Sequence, residues 1–264
     1  MIDLKFGLFW SGGKLSYLRY LTLASLRYHH PNSVIELYLQ GEWKKDGFMW
    51  GCEEQDFQSD SLEEYVTPDE IYNLGISTKE FNEFSNYPPN FQSDFFRWWW
   101  LKNNSGFYLD IDQIVLKPFN ILPLDNNLIY SAYKADSCGL YTPVGVIGAC
   151  DSELVNWTNQ LLPQFYNVND YNSLGPFMMR CVLGIKKWKD KAWNSSWEHF
   201  YPVKDSYLVP SIYDGSFYPN DNAVCLHWFG GHPASQKFNK KYTKEFAKSS
   251  SDTISSLLRD KGII

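Results

Sequence analysis

The first forty residues constrain the fold most. Leu4 to Trp10 is a mainly apolar run closed by Ser11-Gly12-Gly13, which reads as a buried strand ending in a tight turn. Leu15 to Tyr28 then follows a helical pattern, with Leu15, Leu18, Ala24 and Leu26 on one broad apolar face. His30-Pro31-Asn32 stops it, and Val34 to Leu39 reads as a second strand. Strand, glycine turn, helix and strand open a βαβ unit, and such units build parallel sheets covered by helices.

The rest of the chain continues the alternation. Thr67-Pro68-Asp69-Glu70 is a helix start, with Thr as the cap, Pro at the first position and acids in the first turn. Further helices are expected from Phe91 to about Asn103, Glu153 to Leu162, Pro176 to Leu183 and Thr253 to Lys261. Strands are expected at Phe107 to Leu109, Leu128 to Tyr133, Val144 to Gly148 and Val224 to Trp228. No linker interrupts the pattern, so a single α/β domain is expected. The Lys- and Ser-rich stretch after Gly231 reads as a peripheral tail, and His29 and His30 as charges that favour the end dipole of the first helix.

Composition removes several function classes. The chain has 264 residues with a net charge of −6 and no basic block, which argues against binding nucleic acid by phosphate neutralisation. Five cysteines, widely spaced and without a CxxC pair, argue against a disulfide framework or a structural zinc site. No apolar run is long enough to span a membrane and no leader precedes the first strand, so a soluble cytoplasmic protein without a transmembrane anchor is expected. Aromatic residues reach 18%, enough for a heavily packed core and for surfaces that stack on bases or sugars.

Two short segments carry chemistry. In the helix from Phe91, the residues Phe95, Phe96, Trp98, Trp99, Trp100 and Leu101 point in nearly every direction, as in a buried helix. Asp94 and Arg97 sit inside it, three apart and therefore on one face. They read either as an ion pair or as charges that a polar ligand completes, because desolvated charges need further hydrogen bonds. The second segment is Asp110-Ile111-Asp112 after a short strand. Side chains alternate along a strand, so both acids are expected on one side, where they repel unless a cation lies between them. Ile114 and Val115 exclude a calcium-binding EF-hand loop.

Together, Ser93-Asp94-Phe95-Phe96-Arg97, Gly106-Phe107-Tyr108-Leu109-Asp110-Ile111-Asp112 and Leu116-Lys117-Pro118 resemble the sugar-binding DXD region of glycosyltransferases. The likeness is narrower to glycosyltransferase family 32 and its relatives, the mannosyltransferases, α-1,4-galactosyltransferases and clostridial glucosylating toxins. Three outlying pieces are similar to further family segments: Phe9-Trp10-Ser11-Gly12-Gly13, Ser173-Leu174-Gly175-Pro176 (with Leu in place of a Thr) and Leu226-His227-Trp228-Phe229-Gly230-Gly231.

The resemblance implies a GT-A, Rossmann-like fold with a mostly parallel central sheet flanked by helices. It implies a transferase domain over residues 1–245 and a helical tail over 246–264. It further implies a nucleotide-sugar donor, most readily a UDP-sugar, a glycan or other hydroxyl acceptor, and Mn²⁺ or Mg²⁺ as cofactor, with retention of anomeric configuration. On that reading Asp112 ligates the metal, and Asp110 contacts the ribose or reaches the metal through water. Asp94 and Arg97 hold donor-sugar hydroxyls, and Trp10, Ser11 and Gly12 lie along the nucleotide. His227 is a third metal ligand or a diphosphate contact, and Gly230 and Gly231 let the backbone approach phosphate. The rival readings are an inactive relative that binds glycans or nucleotide sugars, and a glycoside hydrolase. The hydrolase is disfavoured because Asp110 and Asp112 are too close in sequence to flank a substrate from opposite faces.

Overall fold

The computed structural model describes residues 4–11, 15–40, 50–52, 55–57, 64–122, 128–135, 139–150, 153–189 and 191–264. Seven strands form the central sheet: β1 (Lys5–Trp10), β2 (Val34–Leu39), β3 (Ser77–Glu80), β4 (Gly106–Leu109), β5 (Leu128–Ser131), β6 (Val146–Ala149) and β7 (Ala192–Ser195). Their spatial order is β7-β5-β6-β4-β1-β2-β3. β6 runs antiparallel to both of its neighbours, and every other pairing is parallel. The α/β architecture with a mostly parallel sheet is therefore the one expected from the opening βαβ pattern.

Period-two alternation along β1 sends successive side chains to two different cores. Phe6, Leu8 and Trp10 join one core with Leu18 and Leu21 of helix α1 (Tyr17–His29). Phe9 joins the other, with Phe96 and Trp98 of helix α2 (Pro89–Asn103). Helix α3 (Glu153–Phe165) packs on the α2 side through Leu154, Val155 and Leu162. Both faces of the sheet are thus covered, which explains why apolar residues occupy both faces of β1 and β2. Gly7 faces α2 so closely that a methyl group there would overlap the Trp100 indole.

Helix starts follow their caps. Ser16 caps α1, its Oγ accepting from the Arg19 amide at 3.3 Å, so the helix begins at Tyr17 and Leu15–Ser16 pairs as a short strand with Tyr65–Val66. The Thr67 start is a complete capping box, with Glu70 accepting from the Thr67 amide at 2.8 Å. Edge strands β3 and β7 escape the hydrophobic pattern: β3 is Ser-Thr-Lys-Glu and exposed throughout.

Two expectations are corrected. The segment after Gly231 is not peripheral: helices α4 (Pro233–Lys241), α5 (Lys244–Ser249) and α6 (Thr253–Asp260) bury Phe238, Ala247, Ile254 and Leu258 in the α1-side core. Its Lys and Ser residues occupy the outer faces of amphipathic helices, which composition alone does not separate from a tail. His29 and His30 do not act as helix-end cations. Burial brings both down to a pKa of about 4, and the neutral His30 ring accepts a hydrogen bond from the Phe119 amide at 3.1 Å. Among the described residues, no helix is long and apolar enough to cross a membrane.

Candidate functional site

The site lies at the carboxyl end of β4, between α2 and a small ribbon that crosses over from the far end of the chain. Asp94 and Arg97 share the face of α2 turned toward the sheet and are 7% and 3% exposed. Burying both charges is costly unless each is fully engaged. The Arg97 guanidinium forks to meet that requirement, with Nη1 on Asp94 Oδ1 and Nη2 on Asp110 Oδ1 at 3.2 Å. Its plane also lies 5.0 Å from the centre of the Tyr108 ring. Burial, with the neighbouring Asp110 charge, raises the Asp94 pKa to about 6 against the opposing pull of Arg97.

Asp110 is fixed from several sides. Its amide donates to the Gly145 carbonyl at 2.7 Å, and the Tyr108 hydroxyl donates to its Oδ1 at 2.6 Å. Burial beside Asp110 holds the Tyr108 phenol far above its ordinary pKa, so it stays a proton donor. Gly145 is required by space, since a Cβ there would lie 2.6 Å from Asp110 Oδ2.

Asp112 belongs to a second group. β4 ends at Leu109 and Ile111–Asp112 form a turn, so strand alternation does not govern the two acids, contrary to the sequence expectation. Immediately after the turn, Gln113–Val115 pairs antiparallel with Cys225–His227, with His227 opposite Gln113. The Trp228 amide adds a bond to the Asp112 carbonyl at 3.0 Å. This ribbon brings His227 Nε2 to 3.0 Å and the Gly230 amide to 2.8 Å from Asp112 Oδ2. Phe229 between them has a φ of 53°, a left-handed conformation rare for a bulky residue, and its ring packs 4.1 Å from that of His227. Burial raises the Asp112 pKa, but His227, the Gly230 amide and the charge of Arg19 outweigh it and hold the group low. For His227 burial pulls downward, and the adjacent Asp112 raises it overall.

The remaining predicted residues fall nearby or outside the description. Trp10, 4% exposed, ends β1, and one face of its ring is covered by the Arg19 guanidinium at 4.3 Å. Ser11 follows it, buried, its hydroxyl without a partner among the described residues. Gly12 lies outside the described residues. The Gly231 carbonyl accepts from Gln236 Nε2 at 3.1 Å, which anchors the start of α4.

The donor set suits a hard divalent cation. Asp112 Oδ1 and His227 Nδ1 are both buried without a hydrogen-bond partner among the described residues, a costly state that a bound cation relieves. Among the described residues, no group of three or more His, Cys, Asp and Glu side chains is arranged to enclose a metal. Carboxylate oxygen with one imidazole fits Mn²⁺ or Mg²⁺ sharing its remaining positions with water and a phosphate ligand. Asp110 Oδ1 is engaged by Arg97 and Tyr108.

Residues 19–132 match the family model described as the glycosyltransferase sugar-binding region containing a DXD motif. The matched stretch is a DXD sugar-binding region of the glycosyltransferase type. Asp94, Arg97, Asp110 and Asp112 lie inside the matched region, whereas Trp10 and the His227–Gly231 segment lie outside it. No curated protein matches the sequence. Among solved structures the chain is similar to the PaToxG glycosyltransferase, at 17% identity over 72% of this chain and 70% of that one, with a TM-score of 0.50. That likeness concerns the fold. It also aligns with the galactosyltransferase LgtC, at 14% identity over 92% and 99% of the two chains, TM-score 0.46. Alignment with apo GlyE of Streptococcus pneumoniae TIGR4 gives 12% identity over 99% of this chain and 64% of that one, TM-score 0.44.

Four residues of the site were not singled out from sequence. Tyr108 stood within the motif, two residues before Asp110, where a strand places it on the same side as the acid. Arg19 was readable as a cation within the apolar Leu15–Tyr28 helix. Gly145 and Tyr201 had no local signal. The Tyr201 hydroxyl accepts from the Val146 amide at 2.9 Å and its ring meets His227 edge-on at 5.5 Å, contacts made only by folding.

Proposed function

We propose that the protein transfers a sugar from a nucleotide-sugar donor, of the UDP-sugar class, to a hydroxyl of a glycan or similar acceptor, with a divalent cation and with retention at the anomeric carbon. The observation that carries this reading is the state of Asp112. One oxygen is held by His227 and the Gly230 amide, and the other is buried and unpartnered, a few residues from an Asp94–Arg97–Asp110 network. Residues 1–245 are taken as the transferase unit, with the last helices packed against it.

In this reading Asp112, oriented by its two donors, and His227 hold Mn²⁺ or Mg²⁺, which when bound supplies Lewis-acid neutralisation of charge on the departing nucleoside diphosphate. Arg97 Nε, buried and without a partner among the described residues, is positioned to donate to a donor-sugar hydroxyl, while Asp94 accepts from one. Asp110 holds Arg97 in place and is open on its other oxygen to a ribose hydroxyl. Trp10 and Ser11 border the nucleotide, and the Gly230–Gly231 backbone permits close approach of phosphate. Fixed dipoles and charges of this kind act without reorganising during bond cleavage.

The test is a thermal-shift panel of UDP-, GDP-, CMP- and dTDP-sugars, each with Mn²⁺ and with chelator. A ligand at a hundred times its dissociation constant adds about 2.7 kcal/mol of stability. A metal-dependent shift with one nucleotide class, followed by release of that nucleotide on turnover, supports the reading. A shift with no turnover on any acceptor, water included, favours an inactive binding relative.

A further inference from the structure

Arg19 is the charged group near the site that the networks above leave unused. It sits in the first turn of α1, half-buried, with its guanidinium 4.3 Å from the Trp10 ring centre and 5.1 Å from that of Trp228. Both indoles are firmly placed. Trp10 ends β1, and the Trp228 carbonyl accepts from the Tyr213 hydroxyl at 2.5 Å and from Ser235 Oγ at 2.9 Å. Arg19 Nε is buried without a partner, and among the described residues its side chain makes no hydrogen bond or ion pair. Asp112 lies close enough for its charge to act on Arg19 without bonding it. An ordinary structural arginine in such a place finds a carboxylate or carbonyl; this one lies over two rings, its donors without a partner among the described residues.

The placement of the donors indicates what they await. Arg19 Nη2 lies 3.2 Å from where a Cβ on Gly230 would stand, and the Gly230 amide is the group that bonds Asp112. The guanidinium therefore lies beside the Gly230 backbone, on the segment whose amide bonds Asp112. A planar fork of donors, oriented by aromatic stacking, matches paired phosphate oxygens better than a single carboxylate or a flexible ammonium does.

We propose that Arg19, set against Trp10 and Trp228, is the receptor for the diphosphate of the nucleotide donor, binding its oxygens beside the Asp112–His227–Gly230 cluster. The assignment rests on the nucleotide-sugar reading for the identity of the ligand, but the anion site itself does not. Arg19 neutralises the diphosphate in the bound donor and in the departing nucleotide, sharing that charge with the metal. It also fixes the orientation of Trp10, whose covered face is closed to a base.

The experiment is calorimetric titration of the full chain with inorganic pyrophosphate, in Mn²⁺ and in chelator, for the wild type, Arg19→Gln and Arg19→Lys. The expected result is pyrophosphate binding that weakens by about tenfold or more in Arg19→Gln and by an intermediate factor in Arg19→Lys, which keeps the charge but loses the fork. Circular dichroism checks that each variant is folded; if Arg19→Gln is not, Arg19→Lys alone decides by the same loss. Wild-type pyrophosphate affinity in the folded variants, or no binding by the wild type in either condition, overturns the proposal. Arg19-dependent pyrophosphate binding by a protein that turns over no nucleotide sugar leaves the anion site standing and removes the transferase reading. Sugar transfer with unchanged kcat/KM in Arg19→Gln does the reverse.

Discussion

Arg97 Nη2 lies 3.2 Å from Asp110 Oδ1, and this contact ties the middle of helix α2 to the carboxyl end of β4. The same guanidinium holds Asp94 one turn earlier on the helix, so one cation compensates two carboxylates in a largely dehydrated place. Removing a single partner from such a group leaves uncompensated charge behind. Arg97→Ala is therefore expected to destabilise the fold by about 3–5 kcal/mol, measured by denaturant unfolding. Arg97→Lys, which keeps the charge without the fork, should cost less stability yet lose most donor-sugar use. A neutral effect of Arg97→Ala on unfolding would show that the two acids have other counter-charges.

Asp94 gives the site a dependence on pH. Its folded-state pKa of about 6 lies above its ordinary value of 3.8, so the folded protein holds that proton more tightly than the unfolded chain does. The contribution to stability is fully present below about pH 4 and is lost as pH rises through about 6. Activity runs the opposite way, because the ionised carboxylate is the form proposed to accept from the sugar. The expected kcat/KM profile has an acid limb near pH 6, and the unfolding free energy of Asp94→Asn lacks the wild-type slope across this window. A profile flat through this range would mean that Asp94 is ionised throughout it.

Gly145 separates positioning from stability. A Cβ 2.6 Å from Asp110 Oδ2 displaces that carboxylate and with it the Arg97 fork. Gly145→Ala should lower kcat/KM by about tenfold or more while the protein remains folded, since a misplacement of about an ångström is enough to disable a site. Turnover equal to wild type would place Asp110 outside the working geometry.

Gly7 tests the scaffold instead. A methyl group there overlaps the Trp100 indole and pushes α2 away from β1. Overpacking of this sort typically costs about 1–3 kcal/mol, so Gly7→Ala should lower the melting temperature and, by moving α2, weaken donor use as well. An unchanged melting temperature would mean that the helix shifts freely on the sheet.

The sequence was most informative where a local pattern carried the structure. The βαβ opening was legible because the apolar runs of β1 and β2 are buried on both faces, and Asp94 and Arg97 stood out because the helix around them is apolar on all sides. Strands β3 and β7 were missed, since polar edge strands satisfy only one neighbour and need no hydrophobic pattern. The acid pair was found for a partly wrong reason: Asp110 and Asp112 lie across a turn and enter two networks, rather than alternating on one strand. The ribbon that joins residues 113–115 to 225–227 is non-local, and no pattern within either segment foretells that register. For the same reason Tyr201, Gly145 and the Trp10–Arg19–Trp228 stack emerge only once distant segments meet.

The most direct test of the account compares nucleotide release from nucleotide-sugar donors by the wild type and by Asp112→Asn, each with Mn²⁺ and with chelator, using protein of verified fold. The account predicts turnover by the wild type only with metal, and none by Asp112→Asn in either condition. Metal-independent turnover by the wild type, or turnover by Asp112→Asn at the wild-type rate, would contradict it.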